Sequence, residues 1–461
     1  MSSQASTRPI GYLPKDMPPI GATIILGLQH VLAMLPATVF AALLTKFDVG
    51  VTLFASGLAT IIALLGSGLR IPLYYGSSFS YVAAVVAIVS FYSGTAGGTA
   101  ASPEMIRYGV QVAQGGIVAT GAVSIIAGII IRLVGKDALD KVLPPIITGS
   151  IAMVIGLSLV NVAMGDIGSE WGIALFTLLA TVLFAVYLRG KGLISMLPVV
   201  FGALAGYLFS LLLTPDKAAF FKPVADAAWL RIPNFSLPIF KWQAILAIAP
   251  IAIATIPEST AHLYQISLYI DTLADELKRP KPEVKKLIGL NLILDGLGDS
   301  INGMLGGCAG TNYGENNSLM AITRNYSAPV LVAAGIIAML LGFVGKLAAV
   351  VLTLPNAVVG GLAIFFFGVI ALQGVALIQS EKVDLFDPRQ LAVGALILVV
   401  GVGGAMLPGG ALPWHARWLA GIFTNGDPPA IATAAVLGIL LNAIFLIIPP
   451  KKQVKAEEKI G

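Results

Sequence analysis

Ile256-Pro257-Glu258-Ser259-Thr260-Ala261-His262 places a carboxylate and an imidazole four residues apart inside a long apolar stretch. At that spacing the two lie on one helical face, within hydrogen-bonding reach of each other. Pro257 has no N–H to give, so it should loosen the turn before it and leave carbonyls free beside the acid. A second acid, Glu315, stands in Ala-Gly-Thr-Asn-Tyr-Gly-Glu-Asn-Asn-Ser from Ala309, a run too polar to face lipid and too short to span as a helix. An ionisable group inside a bilayer is costly, and its default reading is a substrate, ion or proton role. The competing reading of Glu258 and His262 is a buried pair that locks two helices. Asp295 and Asp299, in Asp-Gly-Leu-Gly-Asp-Ser, are further candidates, nearer a helix end where they could instead face water. His30 follows Gln29; both could donate to the site, or His30 could be a satisfied core histidine. His415, beside Trp414, reads as interfacial, and the mixed-charge run 271–286 as a solvated loop.

These residues need a membrane around them. Of 461 residues 57% are hydrophobic and 11% charged, against roughly a quarter charged in soluble domains, which excludes a water-soluble enzyme. Fourteen apolar segments can be drawn, at 19–44, 50–69, 71–92, 108–134, 139–163, 168–188, 191–213, 243–266, 286–306, 309–323, 326–345, 350–378, 389–408 and 428–449. The fold class expected is therefore an all-α polytopic membrane protein. With both termini cytoplasmic, Lys46, Arg107, Lys217, Lys222, Arg231, Lys241, Lys346 and Arg417 fall outside, leaving 20 of the 28 Lys and Arg inside, as the positive-inside bias requires. Topology thus accounts for the net charge of +5, and no dense basic patch with interleaved aromatics invites nucleic acid. The N-terminal stretch lacks the charged start, short apolar core and cleavage site of a secretory signal. A lone Cys308 allows no internal disulfide, and no Cys/His cluster has metal-ligand spacing, so neither metal nor cofactor is expected.

Pairing segment one with eight, and onward to seven with fourteen, suggests a duplicated seven-segment unit. Seven is odd, so the second copy must enter the membrane from the opposite side, as in the inverted repeats of secondary transporters. The local echo chosen to align the copies is Tyr75-Gly76-Ser77-Ser78-Phe79-Ser80 with Tyr313-Gly314-Glu315-Asn316-Asn317-Ser318, an offset of 238. Both are glycine-containing polar breaks. Non-helical backbone survives at membrane depth only where protein or a water-filled cavity satisfies it, so the two breaks should face each other near the midplane and offer N–H and C=O groups to a polar ligand. Close packing by Gly and Ser is the simpler alternative.

Thr311-Asn312-Tyr313-Gly314-Glu315-Asn316, then Met320-Ala321-Ile322-Thr323-Arg324, with Gln29-His30, Gly76-Ser77-Ser78-Phe79 and Glu258-x-x-x-His262, resembles the nucleobase/ascorbate transporter family (nucleobase:cation symporter 2), and within it the bacterial uracil permeases. The resemblance runs nearly the whole length of the chain. It implies a core domain of residues 19–134 and 243–346, a gate domain of residues 135–242 and 347–449, cytoplasmic tails at 1–18 and 450–461, the cell inner membrane as location, and a homodimer. Glu258 and Glu315 would accept from the base's ring N–H groups. The N–H groups of Phe79 and Gly314 would donate to its carbonyls, Phe79 would pack on the ring, and His262 would support Glu258; Ser78, Tyr313 and Asn316 fall beside these positions. The chain departs from the uracil pattern at Phe367, where a Tyr is expected, and at Asn312, where a Thr is expected. Thr311-Asn312 is half of the Gln-Asn pattern of the purine-transporting branch.

The residues themselves agree with that expectation. A planar base with alternating N–H and C=O groups needs a carboxylate and backbone donors in one plane, and charge-assisted bonds are the stronger class. Two neighbouring carboxylates in low dielectric will not both stay ionised, which makes a proton the natural coupling ion. The expected function is proton-coupled uptake of a nucleobase, uracil first, by alternating access. The alternatives are a purine or xanthine permease, or an inorganic-anion transporter or channel on the same fold. Two glutamates argue against an anion, polarity at one depth argues against a continuous pore, and no span holds a hydrolase or metalloprotease motif. Small residues such as Gly149, Ser150 and Ala152 suit a surface on which the gate slides over the core.

Overall fold

The computed structural model describes residues 11–94, 101–135, 141–191, 194, 197–214, 216–407, 410–416 and 427–448. The expected tails at 1–18 and 450–461 therefore lie in part or wholly outside the described residues. Helices form where the apolar runs are, and they end where a cap or a Pro intervenes. α1 (Ile20–Thr45) closes on Lys46 in a left-handed turn, and Asp48 caps α2 (Val49–Gly66) by accepting from the Val51 N–H at 3.0 Å. After strand β1 (Tyr75–Ser77) and a single 3₁₀ turn come α3 (Val82–Ser93) and α4 (Pro103–Val134). Next are α5 (Pro145–Ser158), α6 (Val160–Ile167), α7 (Trp171–Tyr187), α8 (Pro198–Leu213) and the short α9 (Lys217–Asp226). The second half runs through α10 (Trp242–Ile248), α11 (Ala252–Glu276), α12 (Ile288–Leu305), strand β2 (Gly310–Asn312), α13 (Gly314–Thr323) and α14 (Ala328–Gly342). It ends in α15 (Gly345–Leu352), α16 (Asn356–Ser380), α17 (Pro388–Ala405) and α18 (Ala430–Ile447).

Every expected segment holds a helix, and among the described residues eight helices are long and apolar enough to cross a membrane. Two boundaries differ from expectation. α11 continues to Glu276, because Ile266, Ile270, Leu273 and Ala274 keep a buried apolar face going into the charged run. The helix break comes earlier than Pro257 alone suggests, at a 3₁₀ turn over Ala249–Ile251 that contains Pro250.

The third and tenth segments cross as the two-stranded antiparallel pair β1–β2, with Tyr75 opposite Asn312, Gly76 opposite Thr311 and Ser77 opposite Gly310. Tyr313 N–H to Tyr74 O at 2.9 Å and Ser78 N–H to Ala309 O at 3.0 Å extend the ladder at both ends. Such a pair has a local two-fold axis through Gly76 and Thr311. That axis carries residue 75 onto 310 and 77 onto 312, an offset of 235, so the repeats align three residues away from the echo read in the sequence. Glycine is needed at the crossing, since a Cβ on Gly76 would enter the Tyr313 ring.

The same symmetry appears in the helix contacts. α2 packs on α14 and α4 on α12, which is one contact seen from each repeat. Each uses two glycines seven residues apart: Gly50 and Gly57 meet Gly342 and Gly335, while Gly289 and Gly296 meet Gly128 and Gly121. A Cβ on Gly50 or Gly342 would stand 2.5 Å from the other's carbonyl oxygen, and on Gly128 or Gly289 2.7 and 2.8 Å. Backbone oxygens cannot swing aside, so these helices approach as closely as the missing side chains allow. α5 on α17 and α16 on α7 form a second reciprocal set.

Buried apolar side chains gather into two clusters. One draws on α1–α4 and α10–α14; the other draws on α5–α7 and α16–α18, with Phe40, Leu44, Val82 and Ala254 reaching into it from the first set. Gly149 meets Gly374 and Ile378 inside the second cluster, so it is not the sliding surface expected for it. Two straps bind the ends of the first set. At one end Tyr12 donates to Arg324 O at 3.0 Å, Tyr326 donates to Tyr12 O at 2.9 Å and Arg279 grips Asp16 at 2.6 and 2.9 Å. At the other, residues 229–239 bond to Gly345, Phe343, Leu305 and Gln111, and Arg231 pairs with Asp48 at 2.7 Å.

Candidate functional site

The strand crossing leaves two helices starting at one depth and pointing opposite ways. Ser78 caps the first by accepting from the Ser80 N–H at 3.3 Å, while α13 starts after Tyr313 with no side-chain cap. Uncapped first-turn N–H groups and the positive helix end favour a carboxylate or carbonyl oxygen there. Glu315 occupies this first turn, and its side chain stays exposed although Asn316 and Asn317 on either side of the turn are buried. Glu258 projects from the middle of α11 and accepts from the Ser80 hydroxyl at 3.5 Å. His262 does not bond Glu258; its Cε1 lies 2.7 Å from where a Cβ on Gly314 would be, so the ring covers that glycine. Through this contact Glu258, His262, Gly314 and Glu315 come together with Phe79 and Ser80, which open the other helix.

Supporting positions sort into those that hold the site and those that lie elsewhere. His30 is buried and meets Asn316 Nδ2 at 3.0 Å through Nδ1 and 3.2 Å through its carbonyl, anchoring α13 to α1. Tyr313 does the same through its hydroxyl, 3.0 Å from Thr38. Gln29 is half-buried and makes no hydrogen bond among the described residues. Asp295 and Asp299 do not face water: both are buried behind the crossing. Asp299 accepts from Tyr75 Oη at 2.7 Å and from the Gly310 N–H at 2.8 Å, joining the two strands, and Asp295 accepts from Thr311 at 3.2 Å. Asn312 donates to Ser259 at 2.8 Å and to Asn291 at 3.3 Å. Phe367 is fully buried in the second cluster, and its neighbour Phe366 is the ring that reaches Phe79, at 4.6 Å between centroids. Ser80, Thr38 and Phe366 were missed in the sequence because a hydroxyl or a ring in an apolar helix has no distinguishing spacing. His415 pairs with Asp427 at 3.1 Å, far along the chain from these helices.

Exposure is one-sided. From Gln243 to Thr260 no residue is exposed, whereas beyond Glu258 the stripe Ala261, Gln265, Leu268 and Thr272 is. On α13 the exposed residues Glu315, Ser318 and Ile322 form a matching stripe. Both helices run from the site toward the Arg279 strap, so the two carboxylates open toward that end and are covered toward Asp48. Among the described residues no group of acids, His and Cys is arranged to hold a metal ion.

A membrane protein with reciprocal half-molecules and a ligand-sized polar break between them is built as a permease. The family model described as "Permease family" matches residues 21–410, and the chain belongs to that family. It is 33% identical over 450 residues to the putative pyrimidine permease RutG of Escherichia coli (strain K12), covering 96% of this chain and 95% of that one. It is also 33% identical over 454 residues to the uracil permease of Bacillus caldolyticus, covering 95% of each. Among solved structures, the transmembrane domain of the cyanobacterium bicarbonate transporter BicA is similar with a TM-score of 0.57 at 14% identity, covering 84% of this chain and 96% of that one. At that identity the likeness concerns the fold.

Proposed function

We propose that the chain is a secondary active transporter for a nucleobase, uracil first, driven by proton symport across the cell inner membrane. The observation that carries the reading is the meeting of two carboxylates, Glu258 and Glu315, with Phe79 at paired helix starts. Two acceptors and free first-turn N–H groups match a flat ring with N–H and C=O groups alternating round its edge. The relatives named as uracil and pyrimidine permeases support the same choice. Thr311 and Asn312, which mix the uracil and purine patterns, turn their side chains toward Asp295, Ser259 and Asn291. Their departure from the uracil pattern therefore falls on the scaffold behind the strands.

In this reading residues 19–134 and 243–346 form the core that carries the site, residues 135–242 and 347–449 form the gate, and the two apolar clusters support that division. The Arg279 end is cytoplasmic, the assembly is a homodimer, and the proton is carried between Glu258, His262 and Glu315. Uptake of labelled uracil into proteoliposomes, driven by an inward proton gradient and competed by unlabelled bases, tests it. Competition by xanthine but not by uracil would move the chain to the purine branch, and uptake indifferent to the proton gradient would remove the coupling.

A further inference from the structure

Three rings from three helical segments meet on the covered side of the site. Phe40 of α1, Phe79 at the strand crossing and Phe366 of α16 are mutual neighbours: Phe79 to Phe366 at 4.6 Å with planes 26° apart, Phe40 to Phe366 at 5.1 Å and 27°, Phe40 to Phe79 at 6.0 Å. Two of these rings belong to the first apolar set and the third to the helix that dominates the second. Around them Leu44, Val82 and Ala254 of the first set are buried in the second cluster. Phe40 lies five residues from the end of α1 that leads to Asp48, so the stack stands between the carboxylates and that end of the molecule. Toward the opposite end the stripes on α11 and α13 are open.

We propose that Phe366 is the residue by which the second body shuts the site, stacking on Phe79 and Phe40 to seal the route from the Asp48 end. A stack at 4.6 Å leaves no room for a ring between Phe79 and Phe366, so opening that route means parting Phe366 from Phe79. Phe367, one residue on, stays in the interior of the second cluster and would move with Phe366 as one piece. The proposal rests on the reading of the chain as an alternating-access transporter, but not on which base it carries.

The test uses the purified full-length chain with Cys308→Ser, so that added cysteines are the only thiols. One reporter is Val82→Cys, 1% exposed beneath the seal; the other is Gln265→Cys, exposed on the open side. The rate of maleimide labelling is measured at each with Phe366 intact, with Phe366→Ala and with the bulkier Phe366→Leu. Loss of both ring contacts should label position 82 about tenfold faster with Phe366→Ala and less so with Phe366→Leu, while position 265 changes by less than about twofold. An unchanged rate at 82 overturns the proposal, and so does a parallel rise at both positions, which means general loosening. Labelling needs no substrate, so a failure of uracil to bind would sink the proposed function without touching this result.

Discussion

Glu258 and Glu315 are held in different ways, and the difference sets what each substitution should do. Glu258 has a single weak hydroxyl partner at 3.5 Å, whereas Glu315 lies in the first turn of an uncapped helix. Replacing either by Gln removes a charged acceptor, a loss of about 1.5–3 kcal/mol, or roughly ten- to 150-fold in uracil affinity by isothermal titration. Near-normal affinity in both variants would remove them from the site. Ser80→Ala should weaken binding only a few-fold, given the length of its bond. His262 makes no bond to Glu258 and instead covers Gly314. If it serves proton transfer, His262→Ala keeps measurable binding and loses gradient-driven uptake; an equal loss of both makes it a packing residue. The two glutamates and the histidine were legible in the sequence because charge inside an apolar run is conspicuous. The roles of Asp299 and Asn312 were not, because their partners Tyr75 and Ser259 come from segments 224 and 53 residues away.

At the scale of elements, close glycine contact and the N-terminal strap make separate predictions. Gly57→Ala and Gly296→Ala press a methyl group on the facing glycine's carbonyl and, being symmetry mates, should cost similar amounts, about 1–3 kcal/mol each. Thermal unfolding in detergent measures this, with Gly172→Ala, where nothing lies within 4 Å, as a neutral control. In the strap, burial works against the Asp16 carboxylate, but the Arg279 guanidinium and the Leu13 N–H outweigh it and hold the group below the usual carboxylate range. A depressed folded value means the stabilisation is present above the unfolded carboxylate's titration, near pH 4, and disappears as pH falls through the lower folded value. Asp16→Asn should therefore speed hydrogen exchange of residues 11–17 at neutral pH, by an amount matching about 0.5–1 kcal/mol, and match the wild type once acid has protonated Asp16. Helix positions could be read from the sequence because apolar length is a strong signal. The strand register could not: Tyr-Gly recurs at 75 and 313, and that likeness outweighed the geometry, in which Tyr75 corresponds to Gly310.

For the whole molecule, the reciprocal packing of α2 on α14 and α4 on α12 means that neither half has a finished interior by itself. The pair β1–β2 sharpens the point, and it bears on how the protein is made. A ribosome delivers Tyr75 well before its partner strand: 235 residues separate it from Gly310, which at ordinary synthesis rates is about 10–50 s. Throughout that interval the N–H and C=O groups of β1 have no strand to pair with, in a setting where unpaired backbone is costly. The nascent chain must therefore be sheltered by the insertion machinery or wait in an unfinished form, and membrane proteases that patrol for such forms have a defined window in which to act. A chain stopped after residue 309 should be degraded within minutes in cells, and supplying residues 310–461 as a separate polypeptide should prolong its life; a long-lived solitary half would show that the first seven segments mature without their counterpart.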